Sequence, residues 1–256
     1  MRVFRRTAWC LSLILGGLSN AAQAERTDLE VRVLARGAKF LAGYTAPVRV
    51  VLTDADTGET LVQGLTAGTT GDTAKIMGGA KDRDGRLASA DSAVFRTSLD
   101  IDRPRRVTLS VTGPLSQPQA ATTATSTQWV LPGRHVTAGD GWLVELPGLI
   151  VDLASPLAYQ RVKAGASVPL RVGVTMLCGC AIGENGPWRA ADTEVDAYLS
   201  VDGGEPHRFA LRFDPDSSLF QAELPTAAAG VYELEVRAWM GASNNAGVAR
   251  TAFFVH

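Results

Sequence analysis

The sequence predicts an all-β protein with two tandem antiparallel β-sandwiches after a cleaved signal peptide. Apolar and polar residues alternate with period two in many short stretches rich in Val, Leu, Phe and Thr. Clusters of Gly, Asp, Asn and Pro separate these stretches, as expected for turns. No long segment shows the period of an amphipathic helix. The chain of 256 residues is long enough for two small domains.

The segment 1–24 has the three-part layout of a secretory signal. Arginines at positions 2, 5 and 6 precede an apolar stretch over 8–18, and the small-residue tail 22–24 follows. The stretch is too short to cross a bilayer, which takes roughly 20 apolar residues. We therefore expect cleavage after Ala24 and a periplasmic or extracellular protein. The Arg5-Arg6 pair leaves twin-arginine export open as an alternative.

Alternation and turn residues divide the mature chain into two halves. The first half is predicted to form strands near 29–35, 38–42, 47–53, 60–65, 93–101, 106–113 and 124–131. The second half is predicted to form strands near 149–154, 157–162, 167–178, 193–202, 206–213, 218–224, 230–240 and 246–255. The Gly- and Asp-rich run 66–92 is expected to be a long, mobile excursion. The Pro- and Gly-containing segment 132–141 is the expected joint, which gives predicted domains 25–133 and 134–256.

The two halves look like copies of one unit, because segment 42–53 matches segment 164–175 at one constant offset. In the second half, Gly230 and Tyr232 open a stretch that alternates up to Ala238. This stretch resembles the late strands of bacterial immunoglobulin-like domains. The resemblance covers the second half well and the first half loosely. It implies two immunoglobulin-like sandwiches, and it assigns no chemistry because that fold hosts many roles.

Three sulfur side chains end the predicted strand that begins at Val168. Strand side chains alternate in direction, so an aliphatic row on one face continues into Met176, Cys178 and Cys180. Loops at the ends of a sandwich often carry function. The segment from Met176 to Cys180 is therefore the candidate site.

Three interpretations of this segment stay open. In the first interpretation, Met176 fills the core, and the two thiols either stay reduced or form a structural disulfide. The disulfide requires a bend at Gly179, because the Cα atoms of residues two apart on an extended strand are about 6.5–7 Å apart. Alternatively, the sulfurs bind a soft metal, for which Cu(I) fits best, whereas zinc would need further ligands such as His135 or His207. In the third interpretation, the cysteines cycle between dithiol and disulfide as an exchange site.

The turn-rich loop after the cysteines supplies a second group of candidates. Glu184, Asn185, Trp188 and Arg189 are positioned to line a pocket over the sulfurs, with Trp188 as a platform for a ligand. The alternative is that Trp188 plugs the open end of its own sandwich.

The remaining composition argues against several functional classes. The formal net charge is −1 and charges of both signs alternate, so we expect neither nucleic acid nor a charged lipid surface as a partner. No catalytic residues are predicted, because none of the histidines lies in a nucleophile motif. We predict a non-enzymatic binding or accessory module that acts through 176–189 on a protein or small-molecule partner. The alternative is a copper-binding or thiol–disulfide accessory protein that uses Cys178 and Cys180.

Overall fold

The computed structural model describes residues 23–43, 46–79 and 85–256. All but the last two residues of the predicted signal peptide lie outside the described residues, as do residues 80–84 of the predicted excursion. Within the described ranges the chain forms sixteen strands, one five-residue α-helix and two short 3-10 helices. The predicted all-β class is therefore confirmed.

The part of the chain before Pro147 contributes seven strands and the helix. These are β1 (Glu25–Ala35), β2 (Arg49–Asp54), β3 (Thr60–Leu65), α1 (Thr73–Met77), β4 (Phe95–Ile101), β5 (Arg105–Gly113), β6 (Thr122–Val130) and β7 (Trp142–Leu146). The second half contributes β8 (Leu149–Ser155), β9 (Arg161–Val162), β10 (Ser167–Met176), β11 (Glu194–Val201), β12 (His207–Ala210), β13 (Arg212–Asp214), β14 (Leu219–Pro225), β15 (Gly230–Met240) and β16 (Asn245–Val255). The 3-10 helices span Pro118–Ala120 and Ala190–Asp192.

The first sandwich packs a three-stranded sheet against a four-stranded one. Their strand orders are β4-β1-β7 and β3-β2-β5-β6. Strand β5 shows why the pattern folds this way, because Val107, Leu109 and Val111 are fully buried while the residues between them are partly exposed. Burying one such side chain contributes roughly 1.5–3 kcal/mol. The alternation therefore fixes which face of each strand is turned inward.

The second sandwich is larger. Its sheets have the orders β13-β14-β10-β8 and β12-β11-β15-β16-β9. Strand β10 buries Val168, Leu170, Val172, Val174 and Met176, and the residues between them are exposed or half-buried. These five side chains belong to the same apolar core as the inward residues of β11, β15 and β16.

Several strand predictions need correction. The predicted strand 38–42 reduces to a single bridge in which Phe40 pairs with Leu34. The predicted strand 157–162 reduces to β9, because Tyr159 adopts a left-handed φ of 60° that breaks the extended conformation. The predicted strand 206–213 divides at the buried Leu211 into β12 and β13, which belong to different sheets.

The described part of the excursion 66–92 is packed against the first sandwich. The buried carboxylate of Asp140 accepts the backbone N–H groups of Leu87 at 2.8 Å and Ala88 at 2.9 Å. Ile76 of α1 packs in a small apolar cluster with Phe40 and Ala88. Charge-assisted hydrogen bonds and burial thus hold the described residues of this segment, which the sequence predicts to be mobile.

Strand β7, absent from the strands predicted from the sequence, lies beyond the predicted joint. It pairs in parallel with β1, so that Val31 lies opposite Trp142 and Ala35 opposite Leu146. The change from one sandwich to the other takes place across Pro147 and Gly148, which separate β7 from β8. The division into folding units 25–133 and 134–256 stays a prediction, and this strand pairing favours a boundary near Gly148.

Candidate functional site

Strand β10 ends at Met176, two residues earlier than predicted, and the chain then reverses direction. The N–H of Gly179 donates to the carbonyl oxygen of Met176 at 2.8 Å, and the N–H of Met176 donates to the carbonyl oxygen of Cys180 at 3.0 Å. Gly179 has a φ of +74°, a left-handed conformation that glycine adopts without strain. The extended row from Met176 to Cys180 that the alternation predicts is therefore replaced by a tight turn.

Cys178 and Cys180 form a disulfide inside this turn. Their Cα atoms are 5.3 Å apart, well within the range for a disulfide and closer than an extended strand permits. The bend at Gly179 that closure requires is confirmed. Cys178 is buried and Cys180 is half-buried. Of the two states predicted for the cysteines, reduced thiols or a structural disulfide, the structure contains the disulfide.

The structure places the candidate metal ligands in different surroundings. Met176 is fully buried in the core of the second sandwich. The histidines named as further zinc ligands lie elsewhere, because His135 Nδ1 accepts the N–H of Asp28 in the first sandwich and His207 is an exposed residue of β12. Within the described ranges, no group of three or more His, Cys, Asp or Glu residues is placed so that it could hold a metal ion. Metal binding by these sulfurs stays a prediction for the reduced protein.

Leu177 is the residue of this turn that the sequence pattern placed wrongly. Alternation puts it on the face opposite the sulfurs, yet it is fully buried. We call Pro147 and Gly148, between β7 and β8, the link. The Leu177 side chain lies against it, because a Cβ atom added to Gly148 would lie 3.4 Å from Leu177 Cδ1. The sulfur-containing turn is therefore next to the point where the chain passes from one sandwich to the other.

The loop after the disulfide is held by its own backbone and by an ion pair. The N–H of Gly183 donates to the carbonyl oxygen of Trp188 at 3.1 Å, and the N–H of Ala190 donates to that of Gly183 at 2.7 Å. Arg189 binds Asp192 with two hydrogen bonds of 2.8 and 2.9 Å. These hydrogen bonds and the carboxylate charge raise the pKa of the Arg189 guanidinium above its ordinary value.

Of the four predicted loop residues, three are exposed and one is not. Glu184, Asn185 and Arg189 are exposed, and they form the rim of the loop. Trp188 is only 8% exposed, and its indole Nε1 donates to the carbonyl oxygen of Gly37 in the first sandwich at 2.9 Å. Trp188 thus joins the two sandwiches, a role that neither interpretation of the sequence included.

Asn245 provides a second connection between the sandwiches. It is fully buried, and its Nδ2 donates to the carbonyl oxygen of Arg36 and to Ser243 Oγ, both at 2.9 Å. Its Oδ1 accepts the N–H of Gly148 at 2.9 Å. Sequence pattern does not single out this residue, because a turn-rich segment such as Gly241 to Asn245 is typical of an exposed hairpin.

We call the group formed by Arg36, Gly37, Gly148, Trp188 and Asn245 the inter-sandwich contact. Each of its hydrogen bonds joins a side chain of the second sandwich to backbone of the first sandwich or of the link. Such bonds use only backbone groups of the first sandwich and of the link, so no particular side chain is required there. For this reason no sequence motif in the first sandwich predicts the inter-sandwich contact.

The geometry defines a class: the protein is an all-β chain of immunoglobulin-like sandwiches. No family model matches the sequence, and no curated protein matches it. Solved structures to which the chain is similar include the fibronectin(III)-like modules of CbhA from Clostridium thermocellum, 12% identical over 93% of this chain and 92% of that chain, with a TM-score of 0.29. The titin domains z1z2 in complex with telethonin are 16% identical over 91% of this chain and 96% of that chain, with a TM-score of 0.26.

An engineered protein is 18% identical over 50% of this chain, with a TM-score of 0.32, and the match spans 24% of that protein. These likenesses concern the fold alone. In the part of the chain that the structure describes, no helix has the length and apolar character needed to cross a membrane.

Proposed function

We propose that the protein is an exported, non-enzymatic binding or accessory module, and that the exposed rim of the loop 181–189 is its recognition surface. The observation that carries this proposal is that a buried residue of the loop contacts the first sandwich while the residues at its rim face solvent. Trp188 is buried against Gly37, whereas Glu184 and Asn185 are exposed.

A loop that is ordered before it binds loses little conformational entropy when it binds. This loop is restrained at both ends, by the Cys178–Cys180 disulfide on one side and the Arg189–Asp192 ion pair on the other. Side-chain ordering on binding costs about 0.5–1.5 kcal/mol for each flexible residue. The restraints thus favour recognition by the short polar side chains at the rim.

The disulfide also supports export. Disulfides form and persist in oxidising compartments such as the bacterial periplasm or the extracellular space. The bond therefore agrees with the signal peptide predicted over residues 1–24, and both support a periplasmic or extracellular location.

The test is affinity capture with the mature chain from an envelope extract of the source organism, followed by quantitative mass spectrometry. The loop variant is Glu184→Ala/Asn185→Ala, and the matched control is Glu205→Ala/His207→Ala, which changes exposed residues of another hairpin. We expect at least one protein that wild type and control enrich equally and the loop variant does not. Equal enrichment by all three folded proteins would contradict the proposal.

A second candidate, thiol–disulfide exchange, is favoured by the small size of the disulfide ring. The bonded cysteines are two residues apart, so loop closure contributes only about 1.5 kcal/mol and the bond stabilises the fold little. In exchange, a partner thiolate would attack one sulfur and release the other cysteine as a thiolate. A second partner thiolate would then release the protein as a dithiol and leave the partner as a disulfide. Equilibration in glutathione redox buffers tests this, and a reduction potential below about −300 mV would exclude it.

Copper binding is a further use of the dithiol form. The two thiolates and the thioether of Met176 would suit Cu(I), provided that the buried Met176 becomes accessible after reduction. Titration of the reduced protein with Cu(I), followed by elemental analysis, tests this hypothesis against the variant Cys178→Ser/Cys180→Ser. Equal copper contents in both proteins would exclude it.

A further inference from the structure

The outer face of the four-stranded sheet in the first sandwich carries a regular array of hydroxyl groups. Strand β6 has the sequence TTATSTQWV, and Thr123, Thr125, Thr127 and Trp129 are all exposed on one side of it. The residues between them, up to Gln128, are half-buried. Period-two alternation therefore points three hydroxyls and one indole toward solvent.

Neighbouring strands extend the array. Across β5 and β6, Thr112 lies opposite Thr123, Ser110 opposite Thr125, and Thr108 opposite Thr127, while Thr53 of β2 lies opposite Thr108. The hydroxyls of Thr108 and Thr127 are 2.8 Å apart, as are those of Thr112 and Thr123. We call these seven residues the hydroxyl face.

Trp129 stands at one end of the hydroxyl face. Its side chain is 60% exposed, an unusual condition for the largest apolar residue. Its cross-strand neighbour is Arg106, whose Nε lies 3.1 Å from Asp56 Oδ1. This ion pair balances the charge of Arg106 next to the indole.

We propose that the hydroxyl face and Trp129 form a binding surface for an uncharged polysaccharide chain. Hydroxyl groups both donate and accept hydrogen bonds, which matches the hydroxyls of a sugar. An exposed indole offers a flat apolar surface on which the C–H face of a pyranose ring packs. Along β6, Thr123 to Trp129 extend for about 20 Å, long enough for several linked sugar rings.

The composition of the face argues for a neutral ligand. A nucleic acid or an acidic polymer would be bound by unpaired Lys or Arg side chains. In the two rows between Thr123 and Trp129 the residues are threonine, serine, Val51 and Gln63. The charged residues are in the two end rows, where Arg49 lies opposite Thr112 and Arg106 lies opposite Trp129. An alternative explanation is that the threonines are present because threonine has a high strand propensity. That explanation does not account for the exposed tryptophan.

The experiment uses the full mature protein in co-sedimentation with insoluble cellulose, chitin and curdlan, and affinity electrophoresis with polygalacturonate as the acidic comparison. The variants are Trp129→Ala, which removes the indole, and Thr125→Val, which removes one hydroxyl at nearly constant shape. The control is Trp239→Ala, because Trp239 is 47% exposed on the second sandwich. Circular dichroism confirms that each variant is folded.

We expect retention on at least one neutral polysaccharide that persists at about 0.5 M salt, where exposed charges are screened. Trp129→Ala should weaken it about tenfold or more, Thr125→Val should weaken it by a smaller factor, and Trp239→Ala should leave it unchanged. The proposal is overturned if no neutral polysaccharide retains the wild type, if Trp129→Ala binds as the wild type does, or if binding is confined to polygalacturonate. These outcomes are independent of Glu184 and Asn185, so they leave the proposed role of the loop untouched.

Discussion

The indole N–H of Trp188 donates to the carbonyl oxygen of Gly37 at 2.9 Å, across 151 residues of sequence. Gly37 has a φ of +64°, and a Cβ atom added there would lie 3.0 Å from Ser243 Cβ. Glycine therefore allows this turn of the first sandwich to approach the second so closely. The loop that follows the disulfide therefore contributes a direct hydrogen bond between the two sandwiches.

Replacing Trp188 with phenylalanine tests the hydrogen bond to Gly37 while an aromatic ring is kept. The change leaves the Gly37 carbonyl without its donor, so we expect a loss of about 1–2 kcal/mol in the free energy of unfolding. Urea denaturation measures this loss. Trp239→Phe on the exposed sheet face is the control and should stay within about 0.5 kcal/mol of wild type. Equal stability of Trp188→Phe and wild type would show that the bond is unimportant.

Asn245→Ala removes the other connection. Its side chain is fully buried, and its loss leaves the Arg36 carbonyl and the Gly148 N–H unpaired. We expect a destabilisation of about 2–4 kcal/mol, measured by thermal and urea unfolding. The exposed Asn185→Ala, with the same change of residue type, should cost less than about 0.5 kcal/mol. Similar unfolding midpoints for the two variants would contradict the role given to Asn245.

The double variant Cys178→Ser/Cys180→Ser shows whether the disulfide stabilises the loop 181–189 or the whole fold. Because the ring is small, we expect the global free energy of unfolding to fall by at most about 1.5 kcal/mol. The loop 181–189 should become more sensitive to limited proteolysis, because its first anchor is lost. Mass mapping of early cleavage sites checks this expectation. A loop that stays as resistant as in wild type would show that Trp188 and Arg189 suffice to hold it.

Glu30 makes the stability of the first sandwich depend on pH. Burial by itself raises the pKa of this carboxyl, but hydrogen bonds from Arg32 and Arg96 outweigh that effect and hold it below the ordinary value of 4.5. The contribution of Glu30 to stability is therefore complete above the unfolded-state pKa and is lost as the pH falls through the lower folded-state pKa.

Glu30→Gln should remove this acid-dependent contribution and flatten the stability profile below about pH 4.5. It should also cost about 3 kcal/mol at neutral pH, because Arg32 is 2% exposed and would lose its charged partner. Unfolding free energies measured between acidic and neutral pH test both points, with the exposed Glu205→Gln as control. A profile for Glu30→Gln parallel to that of wild type would contradict the assignment.

Much of the fold could be predicted from local pattern. The alternation predicts strand β15 with its observed bounds, because the residues from Gly230 to Met240 alternate between a buried and an exposed face. Strand β7 was missed, because its pairing with β1 joins residues more than a hundred positions apart and leaves no turn signal. The pattern also does not predict the division of β12 from β13, because Leu211 between them is buried and the two strands belong to different sheets.

The candidate site could be predicted only in part. The pattern located the cysteines and required the bend at Gly179, because chain geometry alone limits the distance between residues two apart. It did not reveal that Trp188 and Asn245 bind backbone of the first sandwich and of the link. Those contacts depend on the relative placement of two sandwiches, which no local period encodes.

The relative placement of the sandwiches is tested most directly by the distance between spin labels on Arg103→Cys in the first sandwich and Asp216→Cys in the second, both exposed. Double electron–electron resonance should give a single narrow distance distribution in the otherwise wild-type mature protein. The distribution should broaden when Trp188→Ala and Asn245→Ala are added. An equally broad distribution in both proteins would contradict the prediction that the inter-sandwich contact restricts the relative motion of the two sandwiches.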